Sequence, residues 1–488
     1  MIRTYQLKHQ ANKSKQTEIK AILDEYRVLA SKIAVRQWYL FFTKGGFNKN
    51  ADIKTISTGL SERYKQTCQY QVVGSLESFI SNRKNDFVDR VCHSSLDERT
   101  KIDLLYINKH GKWFNDSIKI PVFNEKGKKV KGEYREISPE VIRLARKIFK
   151  HILSKHRKPT MGRINMALDQ KVAVIKTRNN NGAKKFDYWV RLSTLNKGKP
   201  VYIPVQSNEY FESVPGQLKN FCQFNLTDIG EITVSFIKDK SKPDSYIPLT
   251  PKIALDLGLK NIFTTNKGDI FGRKFYETLS KYDKIITNLA RNRQKQGLKV
   301  RSPRYDRLVA KLRAYLKNEI CRIINRIIKL YSPKEIVVEK LNFQNPNLSR
   351  RLNRLLSRFG KAVITAKLDA AAEEYGIKVT YVNPAYTSQV CNSCGYVDKA
   401  NRSSQAEFTC RYCGYKSHAD VNGARNICVR SSDEIGSVYK SKKLVLRILV
   451  ERFTGRLERE PCRCSTAKDL ILRNPYFKDY WDKFKEVS

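Results

Sequence analysis

Four cysteines late in the chain have the spacing of a metal site. Cys391 and Cys394 form one CxxC pair, and Cys410 and Cys413 form a second pair after fifteen intervening residues. Two short turns at this spacing can present four thiolates to one tetrahedral zinc ion. A glycine follows each pair, which allows the positive φ that such a turn needs. The pattern therefore predicts one structural Zn²⁺ in a ribbon, and four buried cysteines without metal are the alternative.

Three isolated acids lie in apolar surroundings. Asp256 interrupts the run KIALDLGLK, Glu339 interrupts IVVEKL, and Asp420 lies in HADVNGARNI near a predicted helix start. A carboxylate in a buried strand is costly unless it is paired, protonated or bound to metal. Three of them indicate a divalent-cation site, and the order Asp, Glu, Asp fits an RNase H-like nuclease. A simple N-cap would give Asp420 the same sequence setting.

Five segments around these residues resemble one family. NPAYTSQVCNSCG, FTCRYCG, ADVNGARNI, ALDLGLKN and VVEKLNF are similar to the RuvC nuclease of transposon-encoded TnpB proteins and of miniature type V CRISPR effectors. The resemblance extends from about Lys252 to Ile427. It implies that Asp256, Glu339 and Asp420 are the catalytic acids, and that the zinc ribbon helps to load the target strand.

The expected chemistry is DNA hydrolysis by two Mg²⁺ ions about 4 Å apart, which activate a water and neutralise the leaving oxygen. We predict that Asp256 bridges the two ions, that Glu339 holds the ion of the attacking water, and that Asp420 holds the second ion. By resemblance, Arg402 reaches the active site, where a guanidinium suits a scissile phosphate. A solvated loop arginine is the alternative for Arg402. His418 receives no role.

The charge of the chain indicates a polyanionic partner. Its 488 residues include 94 Lys and Arg but 47 Asp and Glu, a formal net charge of +47. Self-repulsion of this size is tolerated best when nucleic acid neutralises it. No apolar run approaches the roughly 18 residues of a membrane span, and no signal peptide opens the chain. We therefore expect no membrane partner and a location in the prokaryotic cytoplasm or nucleoid. The eleven cysteines also favour a reducing compartment.

The predicted fold class is multidomain α+β, with a helical recognition lobe inserted in a small β-barrel (wedge) domain, followed by an RNase H-like (RuvC) α/β nuclease that carries an inserted zinc ribbon. The names of the lobes follow from the resemblance. The predicted segments are an N-terminal strand and helix (1–42), a helical recognition domain (43–160), a β-barrel wedge domain (161–250), the RuvC nuclease with two acidic motifs (251–386), the zinc ribbon (387–416), the third acidic motif (417–430) and a tail of unknown role (431–488).

Periodicity sets the first boundaries. Apolar residues recur every three or four positions in Thr17–Phe42, which predicts a helix, whereas from about Arg163 the period is two. A hairpin is predicted around Asn179–Gly182. Asn124–Gly132 is predicted to be a loop rich in Gly and Lys, and Ser241–Pro251 is predicted to be the linker into the nuclease.

Within the nuclease, Asn266–Asp269 is predicted to turn the Asp256 strand back into a hairpin. Two basic helices, Tyr276–Gln296 and Pro303–Tyr331, and a strand at Ile377–Val382 are predicted to follow. In the tail, Leu444–Leu457 is predicted to be a helix that docks on the nuclease or on a second protomer.

The leading functional hypothesis is an RNA-guided DNA endonuclease. Basic lobes would hold a guide RNA, pairing would select the target double-stranded DNA next to a short motif, and one RuvC site would cut both strands. Guiding is implied by the resemblance, since composition indicates only polyanion binding. The alternatives are an RNase H-like transposase and an RNA-guided DNA-binding repressor without cleavage. The acid order argues against the first and the presence of all three acids against the second. A CRISPR or transposon source of the guide, and a monomer or homodimer on one RNA, remain open.

Overall fold

The computed structural model describes residues 1–123, 129–177, 186–196, 198–227, 230–240, 246–258, 260–340, 349–356, 360–404, 406–459 and 465–480. The chain forms two compact units, Met1–Ser241 and Lys242–Ser488. Each unit has a hydrophobic core of its own. Among the described residues, no helix combines the length and the apolar character that crossing a membrane requires.

The first unit combines strands with long helices. Its elements in chain order are β1 (Ile2–His9), α1 (Lys13–Lys44), α2 (Glu62–Cys92), α3 (Glu98–His110), β2 (Lys119–Phe123), β3 (Lys129–Glu136), α4 (Pro139–Lys155), β4 (Met166–Asp169), β5 (Ala173–Thr177), β6 (Tyr188–Leu192), β7 (Val201–Gln206), α5 (Glu209–Ser213), β8 (Gln217–Leu226) and β9 (Ile232–Asp239).

Seven of these strands form one antiparallel sheet in the order β4-β8-β9-β1-β7-β6-β5. The N-terminal strand β1 lies in the middle, with Ile2 opposite Asp239 on β9 and Lys8 opposite Gln206 on β7. The backbone N–H of Ile175 on β5 donates to Asn220 on β8 at 3.0 Å, so the two ends of the sheet approach each other. Helices α1 to α4 come between β1 and β4 in the chain and are therefore an insertion in a nearly closed sheet.

Helix α1 follows the predicted apolar stripe. Asn12 caps its start, because the side-chain oxygen accepts from the Lys15 N–H at 3.0 Å, and Gly45 ends it with a φ of +77°. The buried stripe consists of Ile19, Ile22, Leu23, Tyr26, Leu29 and Ile33, with Trp38 at its end. The stripe packs into the first core, as its spacing indicates.

Two predictions for the first unit need correction. Asn124–Gly132 is not wholly a loop, because β2 and β3 form an antiparallel hairpin that pairs Lys119 with Glu136 and includes Gly132. Segment 43–160 is therefore not purely helical. In the sequence KVKGEYRE, the many charged residues obscure the alternation of apolar and polar residues that would predict a strand. The predicted turn at Asn179–Gly182 lies outside the described residues, although the flanking strands pair at Thr177 and Tyr188. Helix α3 and strand β8 were not predicted.

The second unit contains a mixed sheet, a ribbon and a helical tail. Its elements are β10 (Thr250–Asp256), β11 (Phe263–Thr265), β12 (Ile270–Phe271), α6 (Phe275–Lys295), α7 (Pro303–Tyr331), β13 (Pro333–Glu339), α8 (Arg350–Leu355), α9 (Lys361–Tyr375), β14 (Lys378–Val382), β15 (Glu407–Thr409), β16 (Lys416–His418), α10 (Ala419–Arg430), α11 (Lys442–Arg459) and α12 (Ser465–Leu472).

The sheet has the order β12-β11-β10-β13-β14, with β10, β13 and β14 parallel and β11 and β12 antiparallel. Alternate residues face opposite sides. Ile253 and Leu255 on β10 pack with the residues of α6, α7 and α9, whereas Ala254 packs with Val337 of β13 and Ile427 of α10. Of these four helices, only α10 covers the face of the sheet on which Ala254 lies, and α6, α7 and α9 cover the opposite face.

Helices α6 and α7 agree with their predicted bounds to within one residue, but two connections differ from prediction. The linker predicted at Ser241–Pro251 is too long, because β10 already begins at Thr250, which pairs with Pro333. The turn at Asn266–Asp269 joins β11 to β12 and does not follow the Asp256 strand directly, because β10 pairs antiparallel with β11 first. Polar turn residues mark both ends of the very short β11, which makes the first return hard to find in sequence.

The tail packs on the ribbon of the same chain. The predicted helix Leu444–Leu457 is part of α11, and its Phe453 ring lies 5.2 Å from Tyr396 of the ribbon. Phe477 stacks on Tyr396 with ring centroids 5.5 Å apart. Arg456 donates to the carbonyl oxygen of Cys394 at 2.8 Å. Ribbon and tail therefore share a separate hydrophobic core.

Candidate active site and metal centre

The register of two parallel strands brings Asp256 and Glu339 together. Leu255 is the partner of Val338, so Asp256 and Glu339 form the next pair at the carboxyl ends of β10 and β13. Adjacent strands lie roughly 4.8 Å apart. Both acids lie two residues after Ala254 and Val337, the residues that pack beneath α10. The two carboxylates therefore lie on the face of the sheet that α10 covers.

Helix α10 supplies the third acid and lies close to the first. Asp420 is in its first turn, and the Asp420 N–H donates to Nδ1 of the N-cap His418 at 3.3 Å. A Cβ on Gly423 would lie 2.9 Å from Oδ2 of Asp256. Residues three apart share one helix face. The absence of a side chain at Gly423 thus lets the helix backbone approach Asp256, and Asp420 lies on the same face.

Burial raises the pKa values of Asp256 and Glu339. Burial raises the pKa of Asp256 well above its usual value, and the charges of Glu339 and Asp420 raise it further, whereas Arg402 lowers it. Burial also raises the pKa of Glu339 to about 7, against a hydrogen bond from Thr387 and the charge of Arg430. The excess negative charge and the oxygen donors suit a hard divalent cation.

Arg402 lies at the site. Its guanidinium donates to Oδ1 of Asp420 at 3.1 Å, with 26% of the Arg402 side chain and 15% of the Asp420 side chain exposed. A second contact joins Nε to the carbonyl oxygen of Ser404 at 3.3 Å. Arg402 is therefore anchored beside the acids with part of its surface open to a ligand.

Two supporting residues have no clear signal in the sequence. Thr387 donates its hydroxyl proton to Oε2 of Glu339 at 3.2 Å. The buried Arg430 donates to the carbonyl oxygen of Asn383 at 2.6 Å; burial lowers its pKa to about 10, while Glu339 acts in the opposite direction. In sequence Arg430 looks like an ordinary cation in the last turn of a helix. Only the folded chain places its charge near Glu339.

Asparagines fasten α10 to the ribbon. Asn422 donates to the carbonyl oxygen of Val390 at 2.8 Å and accepts from the Asn392 N–H at 3.0 Å. Asn426, one turn later, donates to the carbonyl oxygens of Thr387 and Val390 at 2.8 Å. These bonds join the helix that carries Asp420 to the chain around the first cysteine pair. The spacing Asn-x-x-x-Asn is the signal that could have indicated such a contact.

The four predicted cysteines converge. Their sulfur atoms all lie within 4.8 Å of one another. The Sγ atoms of Cys391 and Cys413 are 3.7 Å apart, and those of Cys394 and Cys410 are 3.6 Å apart. A tetrahedral ion with Zn–S bonds of about 2.3 Å requires S···S distances of roughly 3.8 Å. The donor set therefore fits zinc.

The cysteine turns have the backbone that the sequence predicts. Gly395 and Gly414 have φ angles of +80° and +71°. Their N–H groups donate to the carbonyl oxygens of Cys391 and Cys410, both at 2.9 Å. Each CxxC-Gly segment is thus a tight turn that directs two thiols to one point.

A cavity of about 320 Å³ opens beside Glu339. Its lining is largely apolar and includes Leu257, Ile364 and Tyr381, together with the lysines Lys340 and Lys361. An apolar recess with flanking cations can take the flat, uncharged part of a nucleotide while the lysines face phosphate.

Comparisons with known proteins match the region around these sites. A family model described as Cas12f1-like, TNB domain, matches residues 362–427. The CRISPR-associated endodeoxyribonuclease Cas12f1 of Sulfoacidibacillus thermotolerans is 46% identical over 83 residues, 17% of this chain and 20% of that protein. The putative RNA-guided DNA endonuclease InsQ of Escherichia coli K12 is 27% identical over 276 residues, 52% of this chain and 66% of that protein. A solved Cas12f1-sgRNA-target DNA complex aligns over 88% of this chain and 98% of that chain, with 14% identity and a TM-score of 0.41.

These matches are partial. The chain spans about a fifth of two Cas12f1 proteins that it matches, at 20% and 17% of their lengths. The matched segment 362–427 contains the four cysteines, Arg402 and Asp420. The comparisons confirm the resemblance to TnpB proteins and miniature type V effectors that the sequence segments indicate.

We predict about one Zn²⁺ per chain, and Cys410→Ser should lower that content because three thiolates hold the ion weakly. Metal analysis after desalting measures the effect. Cys321→Ser, which changes a cysteine on α7 outside the cluster, should leave the zinc content unchanged. Full zinc in the Cys410 variant, or rapid labelling of all eleven thiols in the native protein without chelator, would contradict the site.

The raised pKa of Glu339 predicts a pH-dependent effect on stability in buffer without divalent cations. The pKa is raised from 4.5 to about 7, so between these pH values the folded state binds more protons than the unfolded state. The free energy of unfolding of the wild type therefore falls as the pH rises through this range. The Glu339→Gln variant lacks this titrating group and should not show this pH dependence. The variant should gain unfolding free energy relative to wild type between pH 5 and pH 8, by up to about 3 kcal/mol.

Glu335 on the same strand provides the matched control. Burial acts to raise its pKa, but the Thr380 hydrogen bond and Lys378 lower it overall. Glu335→Gln should therefore show no such gain and should lose stability relative to wild type at neutral pH. Thermal unfolding of both variants across the pH range measures the difference. A difference in stability between Glu339→Gln and wild type that does not change with pH would show that the pKa of the Glu339 carboxyl is not raised.

Proposed function

We propose that this protein is an RNA-guided DNA endonuclease that hydrolyses target DNA at a single RuvC-like site. The observation that carries the proposal is the meeting of Asp256 and Glu339, on the sheet beneath α10, with Asp420 of α10 itself, beside a four-cysteine ribbon. The relatives matched in this region are named endodeoxyribonuclease and putative RNA-guided DNA endonuclease. In this chain, the clustered carboxylates would carry out the phosphodiester hydrolysis that such names imply.

The three acids would hold Mg²⁺, with Asp256 between the other two. Bound there, the ions would supply an activated water and neutralise the charge on the leaving oxygen. The protein's own groups hold this arrangement: Thr387 fixes the Glu339 carboxylate, and the bare backbone at Gly423 leaves room for Asp256. Arg402 would transfer a hydrogen bond from Asp420 to the scissile phosphate, where its planar donors match the oxygens.

The nucleic acid would follow the basic surfaces of the second unit. On α7, buried Leu312, Leu316 and Ile320 form the packed side. The exposed side carries the cations Arg304, Arg307, Lys311, Arg313 and Lys317. Such a row of cations follows a phosphate backbone without reading its sequence. The cavity beside Glu339 would take a nucleotide next to the scissile phosphate.

The remaining segments receive roles by analogy with the named relatives. We assign the nearly closed sheet of the first unit as the wedge domain and α1 to α4 as the recognition lobe, and together they would hold the guide RNA. The second unit would be the RuvC nuclease, and its ribbon would hold the target strand near Asp420, to which Asn422 and Asn426 connect it. Two copies on one RNA are compatible with these roles.

Asp256→Asn, Glu339→Gln and Asp420→Asn should each reduce target cleavage by ~10²-fold or more while leaving nucleic-acid affinity within a few-fold, because each removes a charged ligand and leaves the basic surface unchanged. Cleavage of plasmid DNA with Mg²⁺ and gel-shift affinity should be measured on the same preparations. Glu335→Gln, which changes the structural acid of the same strand, should cleave normally. Near-normal cutting by any of the three variants would remove that acid from the catalytic group.

Expression with its own flanking DNA should yield protein that carries one defined RNA through a wash in moderate salt. A chain with a net charge of +47 binds any nucleic acid, but non-specific phosphate contacts weaken steeply with salt, whereas a folded RNA that fits shaped surfaces resists. Sequencing identifies the RNA. Heterogeneous fragments that wash away would favour the transposase. A defined RNA with guided binding and no cutting would favour the repressor.

A further inference from the structure

Thr264 lies directly beside Asp256 in the sheet. The two residues are register partners across the antiparallel strands β10 and β11. The side chains of directly opposed residues lie on the same face, with Cβ atoms about 4.5–5.5 Å apart. That face is the one covered by α10, where Gly423 contacts Asp256. Thr264 thus borders the acid cluster from the side opposite Glu339.

The Thr264 hydroxyl lacks a hydrogen-bond partner among the described residues, although the residue is only 1% exposed. Burial of a hydroxyl without a partner is unfavourable, and valine has the same shape without that cost. The next residue shows the contrast: Thr265 Oγ1 accepts from the Asp269 N–H at 3.1 Å. The uncompensated hydroxyl is therefore the atom that a ligand of this site would satisfy.

We propose that Thr264 is a positioning residue for the cation that Asp256 holds: its oxygen accepts from a hydration water of that cation, and its proton is donated to the Asp256 carboxylate. Mg²⁺ retains several of its waters in protein sites, and these waters need acceptors. Partners of this kind orient the ligand and typically change metal affinity by about 10- to 100-fold. The inference rests on the divalent-cation part of the proposed function.

The test compares Thr264→Val, Thr264→Ser and Thr287→Val. Thr287, on α6 at the opposite face of the sheet, also has a buried hydroxyl without a partner among the described residues, although the residue as a whole is half-buried. It therefore controls for the loss of an unpartnered threonine hydroxyl away from the acids. Two quantities are measured: the unfolding temperature without divalent cation, and the Mg²⁺ concentration that gives half of the Mg²⁺-induced rise in that temperature.

We expect Thr264→Val to unfold no earlier than wild type without cation, because no bond is lost, yet to need about tenfold more Mg²⁺ for half of the stabilisation. Thr264→Ser keeps the hydroxyl and should need the same Mg²⁺ concentration as wild type within a few-fold. Thr287→Val should leave the Mg²⁺ requirement unchanged. The Mg²⁺ dependence of cleavage should shift in parallel with the stabilisation midpoint.

Two results would overturn the inference. An unchanged Mg²⁺ midpoint in Thr264→Val would show that the hydroxyl does not serve the cation. A lower unfolding temperature of Thr264→Val without cation would show that the hydroxyl bonds the protein itself. Asp256→Asn separates this failure from that of the proposed function. If Mg²⁺ stabilises wild type but not Asp256→Asn, the cation site is supported irrespective of the results for Thr264. If Mg²⁺ stabilises both proteins alike, the cation site and the inference are both contradicted.

Discussion

The close approach of the α10 backbone to the carboxylate of Asp256 sets the position of α10 on the sheet of the second unit. It requires glycine at position 423, since a Cβ there would lie 2.9 Å from Oδ2. Because α10 also carries Asp420 one turn earlier and is tied to the ribbon through Asn422 and Asn426, the same contact sets the third acid and the ribbon relative to the sheet. Any displacement of the helix would separate the acids.

The acids are held together against their own repulsion. Packing of apolar residues such as Ala254, Val337 and Ile427 holds the strands and the helix together, and this keeps the carboxylates that they carry close to one another. Arg402 offsets part of the charge at one end of the cluster and Arg430 offsets part at the other. This leaves a small negative site in a strongly positive chain. Under the proposed function, such a site would concentrate divalent cations while the surrounding surface would attract the polyanion on which they act.

The sequence allowed prediction of the site where local signals are strong. Isolated acids in apolar strands led to the prediction of Asp256 and Glu339 as site residues, and CxxC spacing led to the prediction of the four cysteines. Thr387 and Arg430 could not be found this way, because the Thr387 hydrogen bond and the Arg430 charge act on Glu339 from chain positions 48 and 91 residues away. Thr264 was likewise hidden, since its significance arises from strand register alone.

The fold could likewise be predicted where local sequence patterns determine it, and not where it depends on residues far apart in the chain. Long helices such as α7 have a stripe that spans many turns, and their bounds were predicted closely. Short or charged strands were missed or misplaced: β3 alternates too weakly in hydrophobicity, and β11 has only three residues. The order of the seven-stranded sheet depends on pairings such as Ile2 with Asp239. Local periodicity carries no information about such distant partners.

The shared core of ribbon and tail has a consequence for the order in which the protein is made. Tyr396 and Tyr412 come before the tail in the chain, whereas Phe453 and Phe477, which pack on Tyr396, come after α10. Chains emerge from the ribosome N-terminus first. All three acids are therefore synthesised before the residues that complete the core of the ribbon. The nascent chain passes through a stage in which the acids are present but the ribbon lacks its aromatic packing, and only the emergence of Phe477 ends that stage.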